Sequence, residues 1–271
     1  MELRLATTLS DSPLSRTWST LRAGGRRALI PYLTAGYPSR DASAAAIRAA
    51  AEVADIIEVG IPFSDPLADG PTIQRSTFQA LQQGMTLPGA LELIGELELP
   101  RPIVVFSYLN PIFHYGIERF LMEATELGVA GLILTDLPTG SDAQVEGAVQ
   151  ASALDLIRLV APTTGASRMA VAVQGAQGFV YLVARLGVTG ATTALSDSLA
   201  GSIAAVRRAT SLPVAVGFGI STPDHARAVG RMADGVVVGS ALVEVLGRDG
   251  VRAAGRFLRS LREGLDAGAL Q

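Results

Sequence analysis

The sequence contains no cysteine, and all 22 of its basic residues are arginine, so lysine is absent too. Without a thiol there is no thiolate nucleophile, no disulfide and no zinc–thiolate centre. Without lysine there is no Schiff-base aldolase, no internal aldimine to hold pyridoxal phosphate and no Walker-type phosphate lysine. Imidazole is scarce as well. His114 and His225, far apart in the chain, are all that a metal centre or a nucleophilic triad has to draw on. The arginines are scattered among 25 acidic residues rather than gathered in a stripe, which argues against a nucleic-acid surface. No run reaches the ~18 apolar residues of a membrane span, although mean hydropathy is +0.37. The first residues lack the apolar core of a secretory signal, so the chain is expected to be cytoplasmic. Chemistry is left to carboxylates, hydroxyls and backbone amides.

What is present is alternation. Short β-branched runs at Leu29–Leu33, Asp55–Val59, Ile103–Ser107, Gly131–Thr135, Asp155–Val160, Phe179–Val183, Pro213–Gly217 and Gly235–Val238 read as strands buried on both faces. Stretches of helical spacing separate them. Eight such units over 271 residues, with no break in composition, predict an α/β fold: one closed (β/α)8 TIM barrel forming a single domain over 1–271. An open doubly wound sheet is the competitor, but it calls for fewer strands and a GxGxxG turn after the first. Leu14, Trp18 and Leu21, at i, i+4, i+7 spacing within residues 1–25, predict an extra N-terminal helix closing the barrel bottom. Ile61–Pro102 is too long for one loop and one helix, and it holds two helical patterns, Thr72–Gln83 and Leu87–Leu97. Gly187–Ala200, rich in Gly, Thr, Ala and Ser, reads as a mobile lid. These extensions follow strands two and six, and so belong to the C-terminal face, where barrel active sites are built.

Glu58 stands inside an apolar strand, where a carboxylate is costly unless it is paired or protonated. Burial would raise its pKa into the range of a general acid, while Asp69 on the loop beyond stays ionised, which divides the labour between two carboxylates. The alternative has Glu58 pointing outward to an arginine, with Asp65 and Asp69 making local turns beside Pro66 and Pro71. Gly217-Phe218-Gly219 after strand seven and Gly239-Ser240 after strand eight fall on the two loops where barrels often hold a phosphate. Glycines admit an anion to the backbone, and the helix opening at Ser240 offers unpaired N–H groups. Either turn alone is also an ordinary strand-to-helix connection. Tyr32, Phe106, Tyr108, Tyr181 and Phe218 near strand ends either line a flat apolar pocket or simply cap the core.

The run from Glu58 to Pro71, EVGIPFSDPLADGP, resembles the tryptophan synthase alpha chain family. So do Pro31–Gly36, Tyr108–Pro111, Ala161–Thr164, Gly187–Gly190, Gly217–Ser221 and Gly239–Ala241, in the family's order; the resemblance runs from about Leu29 to Leu261. It implies a carbon–carbon lyase of tryptophan biosynthesis that splits indole-3-glycerol phosphate into indole and glyceraldehyde 3-phosphate by a retro-aldol step. By the same resemblance Glu58 is the general acid and base, Asp69 holds the indole N–H, Tyr181 stands near the glutamate and Thr189 engages Asp69 when the lid closes. The indole is expected among Tyr32, Phe106, Tyr108, Thr135 and Phe218, and the phosphate on Gly190, Gly219, Gly239 and Ser240. No metal or cofactor is implied in this chain. The family's partner is a pyridoxal-phosphate beta chain in an αββα heterotetramer, to which indole passes through a tunnel.

Overall fold

Each expected run supplies one of eight parallel strands: β1 (Ala28–Thr34), β2 (Ile57–Gly60), β3 (Ile103–Ser107), β4 (Val129–Leu134), β5 (Asp155–Val160), β6 (Val180–Val183), β7 (Val214–Gly217) and β8 (Gly235–Val238). They pair in chain order, and β8 returns to β1 through Ala28–Gly235 and Pro31–Val238, closing a barrel. The computed structural model describes residues 11–183, 192–217 and 219–269.

Residues alternate across the sheet. Ile30, Val104, Ile157, Phe179, Ala215 and Val237 fill the barrel interior, while Leu29, Val59, Val105, Leu156, Val216 and Val236 pack outward against the helices. Burial on both faces explains why the runs are continuously apolar rather than alternating.

The bottom is closed as expected by α1 (Pro13–Ala23). Ser12 caps it, accepting from the Ser15 N–H at 3.1 Å, and donates its hydroxyl to Asp155 at the start of β5 at 2.5 Å. Leu14, Trp18 and Leu21 insert into the interior, with the Trp18 ring 5.6 Å from that of Phe179. Each such burial is worth roughly 1.5–3 kcal/mol.

The outer layer comprises α2 (Arg40–Ala51), α3 (Pro71–Gln82), α4 (Leu87–Gly95), α5 (Leu109–Tyr115), α6 (Ile117–Glu126), α7 (Ala143–Ala151), α8 (Ala166–Ala172), α9 (Thr192–Ala209), α10 (Pro223–Gly230) and α11 (Ser240–Ala269). The pair α3 and α4 fills the long segment after β2, as its two patterns predict. α11 bends at Gly250, where φ is 80°, and packs on α10 and α2. Its Arg262 reaches Asp55 at 3.0 Å, and the same carboxylate oxygen accepts the Leu29 N–H at 2.9 Å, so the last helix is tied to the strands that close the ring.

One expectation is corrected. The lid expected over Gly187–Ala200 is helical from Thr192, because Leu199, Ile203 and Val206 bury at i, i+4, i+7 spacing and the helix extends back from them. Within this helix the Ser202 hydroxyl donates to the Ser198 carbonyl at 2.9 Å. Residues 187–191 of that segment lie outside the described residues. Helix α5 is one that the sequence pattern does not announce. Its Leu109 N–H is capped by the Asp136 carboxylate at 2.7 Å, so Asp136 serves this helix and not the one that follows it in the chain.

Candidate active site

Register puts Glu58 beside Tyr32 on β1 and Val104 on β3. Its neighbours Ile57 and Val59 belong to the outer core, so the Glu58 side chain faces the barrel axis and the outward pairing with an arginine is not realised. The residue is 1% exposed, and neither carboxylate oxygen has a hydrogen-bond partner among the described residues. Burial pushes its carboxyl up to about 8, which keeps it protonated at neutral pH.

Asp69 lies on the loop between β2 and α3. Burial pushes its carboxyl up to about 6, and the Tyr108 hydroxyl opposes that shift by stabilising the charge. Polar bonds hold the loop in place: the Ala68 N–H donates to the Tyr108 hydroxyl at 2.9 Å, and the Gln74 amide donates to the carbonyls of Pro66 and Asp69 at 3.3 and 3.0 Å. Asp65 is used locally, accepting from the Ser64 hydroxyl at 2.5 Å. The two carboxyls therefore titrate on opposite sides of neutrality: near pH 7 Glu58 carries a proton and Asp69 does not.

Tyrosines surround the pair. A Cβ on Gly60 would sit 2.0 Å from the Tyr32 hydroxyl, and one on Gly217 would sit 2.3 Å from that of Tyr181. Glycine at these inward strand-end positions leaves the space each phenol occupies. Burial, reinforced by nearby carboxylates that include Glu58, raises both phenols, so each remains a neutral donor. Phe106 meets Tyr32 edge-to-face at 5.4 Å, and Phe63 lies against Tyr108 at 5.2 Å. The Thr135 hydroxyl contacts the Ser107 carbonyl at 3.4 Å and also faces the Tyr108 phenol. Tyr32, Phe106, Tyr108, Thr135 and Tyr181 thus gather with Glu58 and Asp69 at one end of the barrel.

Gly219 has a φ of 88°, open to glycine but strained for other residues, and Gly239 and Ser240 join β8 to the first turn of α11, whose leading N–H groups lack intrahelical acceptors. Thr189, Gly190 and Phe218 lie outside the described residues. The sequence alone did not single out Gly60, Phe63 or the Thr34–Ser76 hydroxyl pair, 2.7 Å apart, which sits beside the Tyr32 hydroxyl. In the sequence Gly60 shows only as a glycine ending an apolar strand; that it seats Tyr32 follows from the pairing of β1 with β2. Among the described residues there is no cluster of metal-ligating side chains and no helix long and apolar enough to cross a membrane.

A closed parallel barrel with two carboxyls of unequally raised pKa at one end has the architecture of a (β/α)8-barrel enzyme. A sequence profile for the tryptophan synthase alpha chain matches residues 18–262. The tryptophan synthase alpha chain of Citrifermentans bemidjiense is 44% identical over 265 residues, covering 95% of this chain and 99% of that one. Tryptophan synthase from M. tuberculosis in an aminoacrylate-bound form superposes with a TM-score of 0.86 at 36% identity, covering 94% of this chain and 99% of the matched chain. The alpha subunit from Legionella pneumophila gives 0.86 at 34%, over 94% and 99%. The chain belongs to the tryptophan synthase alpha chain family, lyases of tryptophan biosynthesis that cleave indole-3-glycerol phosphate.

Proposed function

We propose that Glu58 and Asp69 perform this retro-aldol cleavage from opposite charge states. Neutral Glu58 gives its proton to indole C3, and the positive charge that spreads to the ring N–H is held by the Asp69 carboxylate. Glu58, now ionised, takes the proton of the hydroxyl on the carbon attached to the ring. The carbon–carbon bond breaks, its electron pair restores the indole, and glyceraldehyde 3-phosphate leaves as the aldehyde. The proton returns to Glu58, so the cycle closes without an outside acid. Tyr181 orients the glutamate; Tyr32, Phe106, Tyr108, Thr135 and Phe218 enclose the indole; the backbone of Gly190, Gly219, Gly239 and Ser240 receives the phosphate, and Thr189 meets Asp69 on closure.

The observation that carries this reading is the buried Glu58 carboxyl, without a hydrogen-bond partner among the described residues, sharing the neighbours Tyr32 and Tyr181 with a second carboxyl whose pKa is raised less. The test is indole release from indole-3-glycerol phosphate by Glu58→Gln, expected to fall at least ~100-fold for a lost acid–base group. Release at the unaltered rate overturns it.

The same reading includes a partner. Solved structures similar to this chain are of tryptophan synthase, one of them in an aminoacrylate-bound form. A pyridoxal-phosphate beta chain in an αββα assembly, receiving indole directly, fits a chain that has no lysine to bind that cofactor. The alpha chain then works as one barrel domain with no cofactor of its own, in the cytoplasm, a location that rests on its family.

A further inference from the structure

Arg158 and Glu146 form an ion pair buried away from the mouth, with side-chain exposures of 4% and 11%. Arg158 lies on β5 between Ile157, in the barrel interior, and Leu156 and Val160, in the outer core. Its side chain is directed outward to α7, where Glu146 occupies the first turn. Neither residue enters the acid–base chemistry. A buried ion pair gives little net stability, because desolvation offsets most of its attraction. What this pair does hold is backbone. Arg158 donates to the Leu137 carbonyl at 3.3 Å, and the second carboxylate oxygen of Glu146 accepts the Gly140 N–H at 2.6 Å. Two points inside the connection between β4 and α7, the Leu137 carbonyl and the Gly140 N–H, are thereby gripped by one ion pair.

That connection begins with Thr135 and Asp136. Asp136 caps α5 at Leu109, the residue after Tyr108, and the Thr135 hydroxyl faces the Tyr108 phenol. Tyr108 in turn accepts the Ala68 N–H and stands against the Asp69 carboxylate. We infer that Arg158 and Glu146 are positioning residues for the reaction, clamping the connection after β4 so that Tyr108 holds the Asp69 loop in place. The inference rests on the role given to Asp69 above. The titratable groups that feel the Asp69 charge, among the described residues, are Tyr108 beyond β3, Tyr32 on β1 and Tyr181 on β6. The clamp reaches the first of these.

The test is the double variant Arg158→Met/Glu146→Leu, which removes both charges at similar volume and so leaves no lone buried ion to unfold the chain. Its indole release is measured against pH, beside Tyr108→Phe and Asp69→Asn. The expected result is a melting temperature close to that of the parent, kcat lowered roughly tenfold with KM much less affected, and the acid limb of kcat/KM moved to higher pH, as in Tyr108→Phe. Adding Tyr108→Phe to the double variant moves the limb no further. A parent-like acid limb and kcat overturn the clamp while leaving Asp69 its role, whereas an active Asp69→Asn overturns that role itself. If the double variant does not fold, Arg158→Gln/Glu146→Gln, which also removes both charges but keeps an acceptor for Gly140, is expected to show a smaller shift in the same direction, and its absence overturns the clamp.

Discussion

Tyr32 and Glu58 are register partners on adjacent parallel strands, and the Tyr32 hydroxyl occupies the space that a side chain on Gly60, two residues beyond Glu58, would fill. One small residue thus lets an aromatic wall close over the glutamate. Desolvation, the sole cause of the Glu58 shift, follows from that closure.

Glu58→Gln is expected to stabilise the fold as it abolishes turnover. The folded-state pKa of Glu58, about 8, lies above its ordinary 4.5, so the native state holds an extra proton between those values. Stability therefore falls as pH rises through that window, by up to roughly 1.4 kcal/mol per unit. Glutamine does not titrate and avoids this loss. Urea denaturation at pH 5 and pH 8 checks it: the variant's advantage grows with pH, and an advantage that shrinks contradicts the burial of an acid.

Gly217→Ala places a methyl group 2.3 Å from the Tyr181 hydroxyl. The tyrosine must move, because backbone on a packed strand cannot. The expected cost is about 1–3 kcal/mol of stability, with a fall in kcat/KM for indole release larger than that of Gly201→Ala, where a Cβ meets nothing within 4 Å. Thermal melts and steady-state rates on both variants decide it.

Trp18→Ala should cost about 3–5 kcal/mol in denaturant unfolding, the range for emptying a large buried aromatic site. Trp18 is 5% exposed and lies against Phe179 in the inner core, far along the barrel from the carboxyls. The variant's KM for indole-3-glycerol phosphate, measured where it remains folded, should stay near that of the parent. A changed KM at full folding contradicts a purely structural plug.

These particulars also mark what the sequence carried. Strands buried on both faces announce themselves as β-branched runs, and the N-terminal plug does so by its helical spacing. The direction of Glu58 was not legible, because a one-residue change of register sends every side chain of a strand to the other face. Nor was α5, whose cap comes from Asp136, 27 residues away. The start of α9 was hidden for a different reason: Thr, Ala and Ser dominate its first turns, and these residues mark no helix end by their pattern. The glycines of the proposed phosphate loops stand out in the sequence, whereas the seats for Tyr32 and Tyr181 needed the pairing of strands.

The proposed partner makes its own prediction. Indole release by the isolated chain should be slow and should rise when a cognate beta chain is titrated in, saturating at one alpha per beta. Fast release that the beta chain leaves unchanged would mark a free-standing lyase instead.

The most direct test of the two-carboxylate account is the pH dependence of kcat/KM for indole release by the unmodified chain and by Asp69→Asn. The active form has Asp69 ionised and Glu58 protonated, so the profile should be a bell that rises near pH 6 and falls near pH 8. Asp69→Asn should lose nearly all turnover, since no carboxylate remains to hold the charged indole. A profile flat across that interval, or an Asp69→Asn variant that releases indole at the parent rate, contradicts the account.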